Sequence, residues 1–210
     1  MPWTDVSLAN AIEELSKLHV RLCPRQVLGI RIGRYAGELL GMGVPRADKR
    51  MIATVEIDGC FADGVSVATG CWLGRRTLRV VDYGKVAATF VNVQTEVAVR
   101  IWPGADARAR AEHFARAAPD RWHAQLAAYQ VMPATQLLKT CHVRVNAKLV
   151  STDSARLMCA GCSEEILNQR NVVREGLVLC RACTGDAYYT SVHESNFEAC
   201  LRELEERIER

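Results

Sequence analysis

Apolar residues recur every three or four positions at Leu8, Ala11, Ile12, Leu15 and Leu18, with Glu13 and Lys17 one turn apart on the other side. This spacing predicts an amphipathic helix over residues 5–18. A second helix is expected from Pro24, whose missing amide proton is not needed in a first turn, with Leu28, Ile32, Tyr35 and Leu39 as its apolar face and Gly41, Gly43 and Pro45 as its stop. MIATVEI (51–57) and LRVVDY (78–83) have the β-branched content and alternation of strands. Between them, Ala62 to Thr69 reads as a short helix closed by Gly70. Residues 89–102 fit one long bent strand, or two short ones joined near Gln94 and Thr95. Ala- and Arg-rich residues 106–118 predict a helix, Pro119 interrupts it, and a further helical run begins near Asp120 and continues over 134–139 after Pro133. VRVNAKLV (143–150) alternates as a strand does, and STDS (151–154) marks a domain junction. Phe197, Leu201, Leu204 and Ile208 form an apolar stripe among Glu and Arg, which predicts a terminal helix over 195–210 that either docks on the protein's own core or joins a subunit interface.

Sheet and helix signals together give an α+β class: a mixed sheet with packed helices over 1–150, followed by a small treble-clef or zinc-ribbon-like domain over 151–210. The 210 residues, 49% hydrophobic and 24% charged, suit one or two globular domains and exclude a disordered or collagen-like chain. No apolar run reaches the ~18 residues a membrane span needs, and the first residues carry acids where a signal peptide has basic ones. A cytoplasmic protein without a membrane partner is the expectation.

Charge separates the two parts. Residues 1–150 hold 20 Lys/Arg against 13 Asp/Glu, a balance of +7, whereas 151–210 hold 7 against 11, a balance of −4. The acidic second part disfavours nucleic-acid binding, with Arg170, Arg174 and Arg181 as a local exception.

The strongest chemical signal is Cys159-Ala-Gly-Cys162 followed, seventeen residues later, by Cys180-Arg-Ala-Cys183. Paired CxxC knuckles at this separation bring four soft thiolates to one point, which suits tetrahedral Zn2+ and leaves no coordination position for water. The expected role is structural. A segment too short for a large core would depend on the metal to fold, with Leu157, Ile166, Leu177, Leu179, Tyr188 and Tyr189 as its small apolar complement. Five further cysteines remain, an odd number that argues against a disulfide scaffold and for a reducing compartment.

A second group lies early. His19 precedes Cys23 by four residues, Cys23 stands before the helix that Pro24 opens, and Cys60 and Asp63 follow the 51–57 strand. Two readings stand: a transition-metal centre of His19, Cys23 and Cys60 with Asp63 as fourth ligand or as the acceptor orienting His19, or packing roles for Cys23, Cys60 and Cys71 beside a hydrogen-bonded His19. Asp82-Tyr83-Gly84-Lys85 is either a substrate-charge clamp or a capped turn.

His19-Val-Arg-Leu-Cys23-Pro24, Asp58-Gly-Cys60-Phe-Ala-Asp63, Thr69-Gly70-Cys71 with Gly74, and Asp82-Tyr83-Gly84-Lys85 occur in an order that resembles the FmdE family, which takes its name from formylmethanofuran dehydrogenase, over about residues 8–150. The resemblance implies an α+β domain, usually dimeric, with metal binding at His19, Cys23 and Cys60. It also implies a C-terminal zinc element in some members. This chain departs from the family pattern at Arg21, where a second histidine is usual, at Arg25 for Gly, at Ser66 for Gln and at Trp72 for Thr. Arg21 and Arg25 would either fill the crevice or grip an anion, with Asp63, Asp82, Tyr83 and Lys85 as the remaining cofactor-binding candidates.

The function expected from these residues and the resemblance is a zinc-binding accessory or regulatory protein. It would recognise an anionic cofactor or metal-associated ligand, in connection with a molybdenum or tungsten formylmethanofuran dehydrogenase-like system. The expected cofactors are Zn2+ at the late cysteines and a second transition metal at the early group. The expected partners are a second copy of the chain, and a protein or an anionic small molecule. Two alternatives stand beside it: a metal-dependent hydrolase or transferase built on His19, Cys23 and Cys60, and a zinc-dependent transcriptional or protein-interaction adaptor.

Overall fold

The computed structural model describes residues 5–151 and 154–190 of the chain, which divides into two compact units between Val150 and Ser151. The expected helix over 195–210 lies outside the described residues.

In the first unit, α1 (Asp5–Ser16) buries Leu8, Ala11 and Leu15 against Ile30 and Ala68, which is the face its apolar spacing defines. Helix α2 (Pro24–Leu39) follows, with Pro24 in its first turn. The sheet contains β1 (Met51–Val55), β2 (Leu78–Val80), β3 (Ala88–Asn92), β4 (Ala98–Pro103) and β5 (Leu138–His142), in the spatial order β2-β1-β3-β4-β5. β1 and β2 run parallel because α3 (Cys60–Thr69) carries the chain back between them, and the other pairs are antiparallel. The unit is therefore an α+β fold with a mixed sheet.

One face of the sheet presents Met51, Ala53, Val55, Phe90, Val99 and Ile101 to a single core, which α2 and α3 fill with Val27, Ile32, Phe61 and Val65. α4 (Ala107–Phe114) and α5 (Arg121–Val131) complete that core through Ala111, Ala128 and Tyr129. Strand alternation sends Thr54, Thr89, Arg100 and Cys141 to the opposite face, where the register sets them side by side. Arg31, only 6% exposed, crosses from α2 to donate to the carbonyls of Tyr129 (2.6 Å) and Met132 (2.5 Å) at the end of α5.

α2 and α3 approach through small residues. A Cβ at Gly29 would stand 2.3 Å from the Phe61 carbonyl oxygen, and one at Gly64 would stand 2.3 Å from that of Gln26. Gly70 ends α3 at φ +74°, where its N–H bonds the Ser66 carbonyl, and a Cβ there would also strike the Arg46 carbonyl at 2.3 Å.

Of the two readings of residues 89–102, the structure shows two short strands, β3 and β4, turning through Val93–Val97. Two elements differ from the sequence expectations. Helix α6 stops at Leu137 (Ala134–Leu137), so Leu138 and Lys139 belong to β5 and not to a continued helix. Residues 143–150 are not a strand: the Val143 N–H still pairs with the Ala98 carbonyl, but Ala147–Val150 wind into a helical turn, α7. Local alternation lost there to the absence of a further strand partner.

The second unit has two hairpins, β6 (Arg156–Met158) with β7 (Glu165–Leu167), and β8 (Val172–Arg174) with β9 (Leu177–Leu179). Glu175 and Gly176 both have positive φ, which makes a two-residue turn of the type that matches strand twist. Cys159 and Ile166 are its only buried side chains among the described residues. Leu157, Leu177 and Tyr189 are exposed and Tyr188 is fully so, hence the apolar complement expected of them is not assembled. Hydrophobic burial of that size cannot offset the entropy of ordering the segment.

Candidate functional site

Each hairpin of the second unit delivers one cysteine pair. Cys159 follows β6 and Cys162 lies in the turn after it, while Cys180 follows β9 and Cys183 sits in the short 3-10 turn Ala182–Thr184. The Ala160 N–H bonds the Val178 carbonyl at 2.8 Å and so ties the first knuckle to the second hairpin. Gly161 leaves room for the second knuckle, since a Cβ there would press on Cys183 Sγ at 3.1 Å.

All four Sγ atoms lie within 4.8 Å of one another, and Cys162 and Cys180 are 3.9 Å apart. Zn–S bonds of about 2.3 Å in a tetrahedron place sulfurs about 3.8 Å apart, so this set needs little movement to share one ion. Backbone donors already serve the sulfurs: Cys159 Sγ accepts from Cys180 N–H (3.2 Å) and Gly161 N–H (3.4 Å), and Cys180 Sγ from Cys183 N–H (3.4 Å).

The backbone N–H groups of Cys162, then Cys180 and Gly161, hold the Cys159 thiol down to about 6. The crowding of Cys180, Cys159 and Cys162 pushes the Cys183 thiol up to about 12. Four thiols this close therefore cannot all ionise alone, whereas a dication makes the fully ionised set favourable. The donor set fits a closed thiolate metal site, consistent with a small zinc-binding domain.

In the first unit, the N-terminal ends of α2 and α3 bring the early candidates near one another in two pairs. His19 Nε2 lies 2.8 Å from Asp63 Oδ2, and the half-buried thiols of Cys23 and Cys60 interact. Burial first, and then Cys23, push the Cys60 thiol up, while Arg25 acts in the opposite direction. Gln26, fully buried, fixes the entry to α2 by accepting the Cys23 N–H at 2.6 Å, and its Nε2 has no partner among the described residues. Among the described residues the late cysteines are the group of three or more such ligand atoms that closes within 4.8 Å.

The six cofactor-binding candidates do not share one cavity. Arg21 and Arg25 are exposed, and Asp63 lines a cavity of about 280 Å³ together with Ser66 and Trp72. Tyr83 lines a different one, of about 210 Å³, on the far sheet face beside Thr54, Glu56 and Thr89. Asp82 accepts the Gly84 N–H at 2.8 Å, which caps the turn, and Lys85 Nζ stands 5.8 Å from the Tyr83 ring centre.

Sequence reasoning did not find Glu56, whose two carboxylate oxygens each accept a 2.6 Å bond from Arg100. Its place near the end of the apolar run 51–57, just after β1, gave the only signal, a charge among apolar residues. The pair raises the Arg100 pKa through the hydrogen bond to Glu56, and Arg100 also stacks 5.0 Å from the Trp102 ring centre.

An α+β unit with a mixed sheet, followed by a four-cysteine cluster of metal-binding geometry, defines the class. Residues 18–139 match the family model described as "FmdE, Molybdenum formylmethanofuran dehydrogenase operon", and the chain belongs to that family. It is 34% identical over 102 residues to a "Probable S-adenosyl-L-methionine-binding protein" of Archaeoglobus fulgidus, a match covering 47% of this chain and 28% of that protein. The chain thus spans less than a third of that relative. A solved structure, that of a tungsten formylmethanofuran dehydrogenase FmdE-like protein from Syntrophus aciditrophicus, has the same fold, with a TM-score of 0.56 at 19% identity over 87% of this chain and 95% of that one. No helix among the described residues is long and apolar enough to cross a membrane.

Proposed function

We propose that this chain is a zinc-binding accessory or regulatory protein of the FmdE family. Its second unit is folded around one Zn2+ held by Cys159, Cys162, Cys180 and Cys183. The observation that carries this reading is the mutual approach of the four sulfurs within 4.8 Å in a unit with almost no buried apolar side chains. The metal would supply the fold of the knuckles, since four protein ligands leave no position for substrate.

The first unit would recognise an anionic cofactor or metal-associated ligand near the ends of α2 and α3. The action of Arg25 on the Cys60 thiol supports positive potential there. Small-molecule recognition also agrees with the description of the archaeal relative. A cytoplasmic homodimer that serves a molybdenum or tungsten enzyme of the formylmethanofuran dehydrogenase type completes the proposal.

Elemental analysis of the wild type and of Cys159→Ala and Cys23→Ala tests it. One zinc per chain, lost in Cys159→Ala and kept in Cys23→Ala, is the expected result; zinc retained in Cys159→Ala overturns the reading. A second reading, a metal-dependent hydrolase or transferase, draws on the His19–Asp63 pair, in which the carboxylate orients the ring and is a ready proton acceptor. It requires a second metal per chain that disappears in Cys23→Ala.

A further inference from the structure

Beside the first turns of α3 lies the cavity of about 280 Å³ that Asp63, Ser66 and Trp72 line; neither Cys23 nor Cys60 lines it. Its size is just below the range of about 300–1,000 Å³ usual for drug-sized ligands, which suits a smaller molecule. Its charged lining residues are both acids, Asp58 and Asp63, with no Lys or Arg among them. Asp58 makes no ion pair or hydrogen bond among the described residues, and Asp63 engages His19 through one oxygen.

The aromatic and apolar lining residues narrow the occupant. Trp72, 36% exposed, adds an indole, and Leu78 and Val80 make the wall apolar. A hydrated metal ion would find too few oxygen donors: Asp58 and Asp63 do not close with a third such ligand atom within 4.8 Å. A cation whose charge is spread over methyl groups matches the whole set. It is attracted by the carboxylates and the indole face, and it loses little hydration against Leu78 and Val80.

We propose that this cavity binds a small methylated onium cation, a quaternary ammonium or a sulfonium, with its charge between Asp58 and Asp63 and its methyl groups against Trp72. The site stands independently of the metal held by the second unit and of the anion-binding reading of Arg25.

Calorimetric titration of the full chain with choline chloride at low salt tests it, with 3,3-dimethyl-1-butanol as the neutral carbon counterpart and trimethylsulfonium as the second cation. Saturable one-site binding of choline or trimethylsulfonium is expected, at least tenfold tighter than the alcohol. Asp58→Asn and Trp72→Leu should each weaken it at least threefold. Asp58 is exposed, so Asp58→Asn keeps the test decisive should Trp72→Leu fail to fold. The proposal is overturned if neither cation saturates, if the alcohol binds as tightly, if Asp58→Asn binds as the wild type does, or if equimolar Mg2+ displaces the onium.

Discussion

Replacing Gly29 by alanine probes the contact that places the ends of α2 and α3 together. The new Cβ would stand 2.3 Å from the Phe61 carbonyl oxygen, 2.9 Å from the Val65 nitrogen and 3.0 Å from the Gly64 carbonyl carbon. All three are backbone atoms of α3, so no side-chain rotation relieves the overlap. An ordinary carbon–oxygen approach is about 3.3 Å, hence the helices must part by about 1 Å. Overpacking of this kind costs about 3 kcal/mol at the upper end of its usual range, and the better helix propensity of alanine returns about 1 kcal/mol. A net loss of about 2 kcal/mol remains, or about 4–8 °C in Tm for a unit of this size. Urea and thermal unfolding followed by far-ultraviolet circular dichroism read the change. Gly43→Ala, whose Cβ would meet nothing within 4 Å, serves as the control. Gly29→Ala with a midpoint equal to or above that of the wild type would refute the close-packing argument.

Other substitutions and conditions test separate parts of the structure. Cys159→Ser should release the metal and unfold the second unit while leaving the first unit's unfolding midpoint unchanged, as read by hydrogen exchange resolved along the chain. Arg31→Met should lower stability by about 1–3 kcal/mol in urea titration, because the Tyr129 and Met132 carbonyls lose a buried donor. The His123 backbone N–H and then its ring hold the Asp120 carboxyl below the usual carboxylate range. Its contribution to stability is therefore present above the unfolded value, about 3.9, and lost as pH falls toward the depressed folded value. A carbon-13 NMR titration of Asp120 with a midpoint at or above 3.9 would contradict this.

What the sequence made legible follows from the range of the interactions involved. The two CxxC knuckles are local: three residues fix each turn, and the hairpins between them carry the pairs to one point, so Cys159, Cys162, Cys180 and Cys183 could be grouped before any coordinates. Helices α1 and α2 were legible for the same reason, through an apolar period and a proline in the first turn. Strand β5 was not, because Leu138–His142 is held by pairing with β4, some forty residues away, and four of its five residues are exposed. At 143–150 an alternating pattern met no further partner strand. Glu56 and Arg100, 44 residues apart, become neighbours only once the sheet is assembled. The early candidates show the intermediate case. His19 and Asp63 meet and Cys23 and Cys60 meet, but Tyr83 lines a separate cavity on the far sheet face and Asp82 caps its own turn.

X-ray absorption at the zinc edge of the purified full chain tests the central claim most directly. Four sulfur neighbours at about 2.3 Å, with no nitrogen or oxygen in the coordination sphere, are predicted. A zinc bound by nitrogen or oxygen, or a protein that folds its second unit with no metal at all, would contradict it.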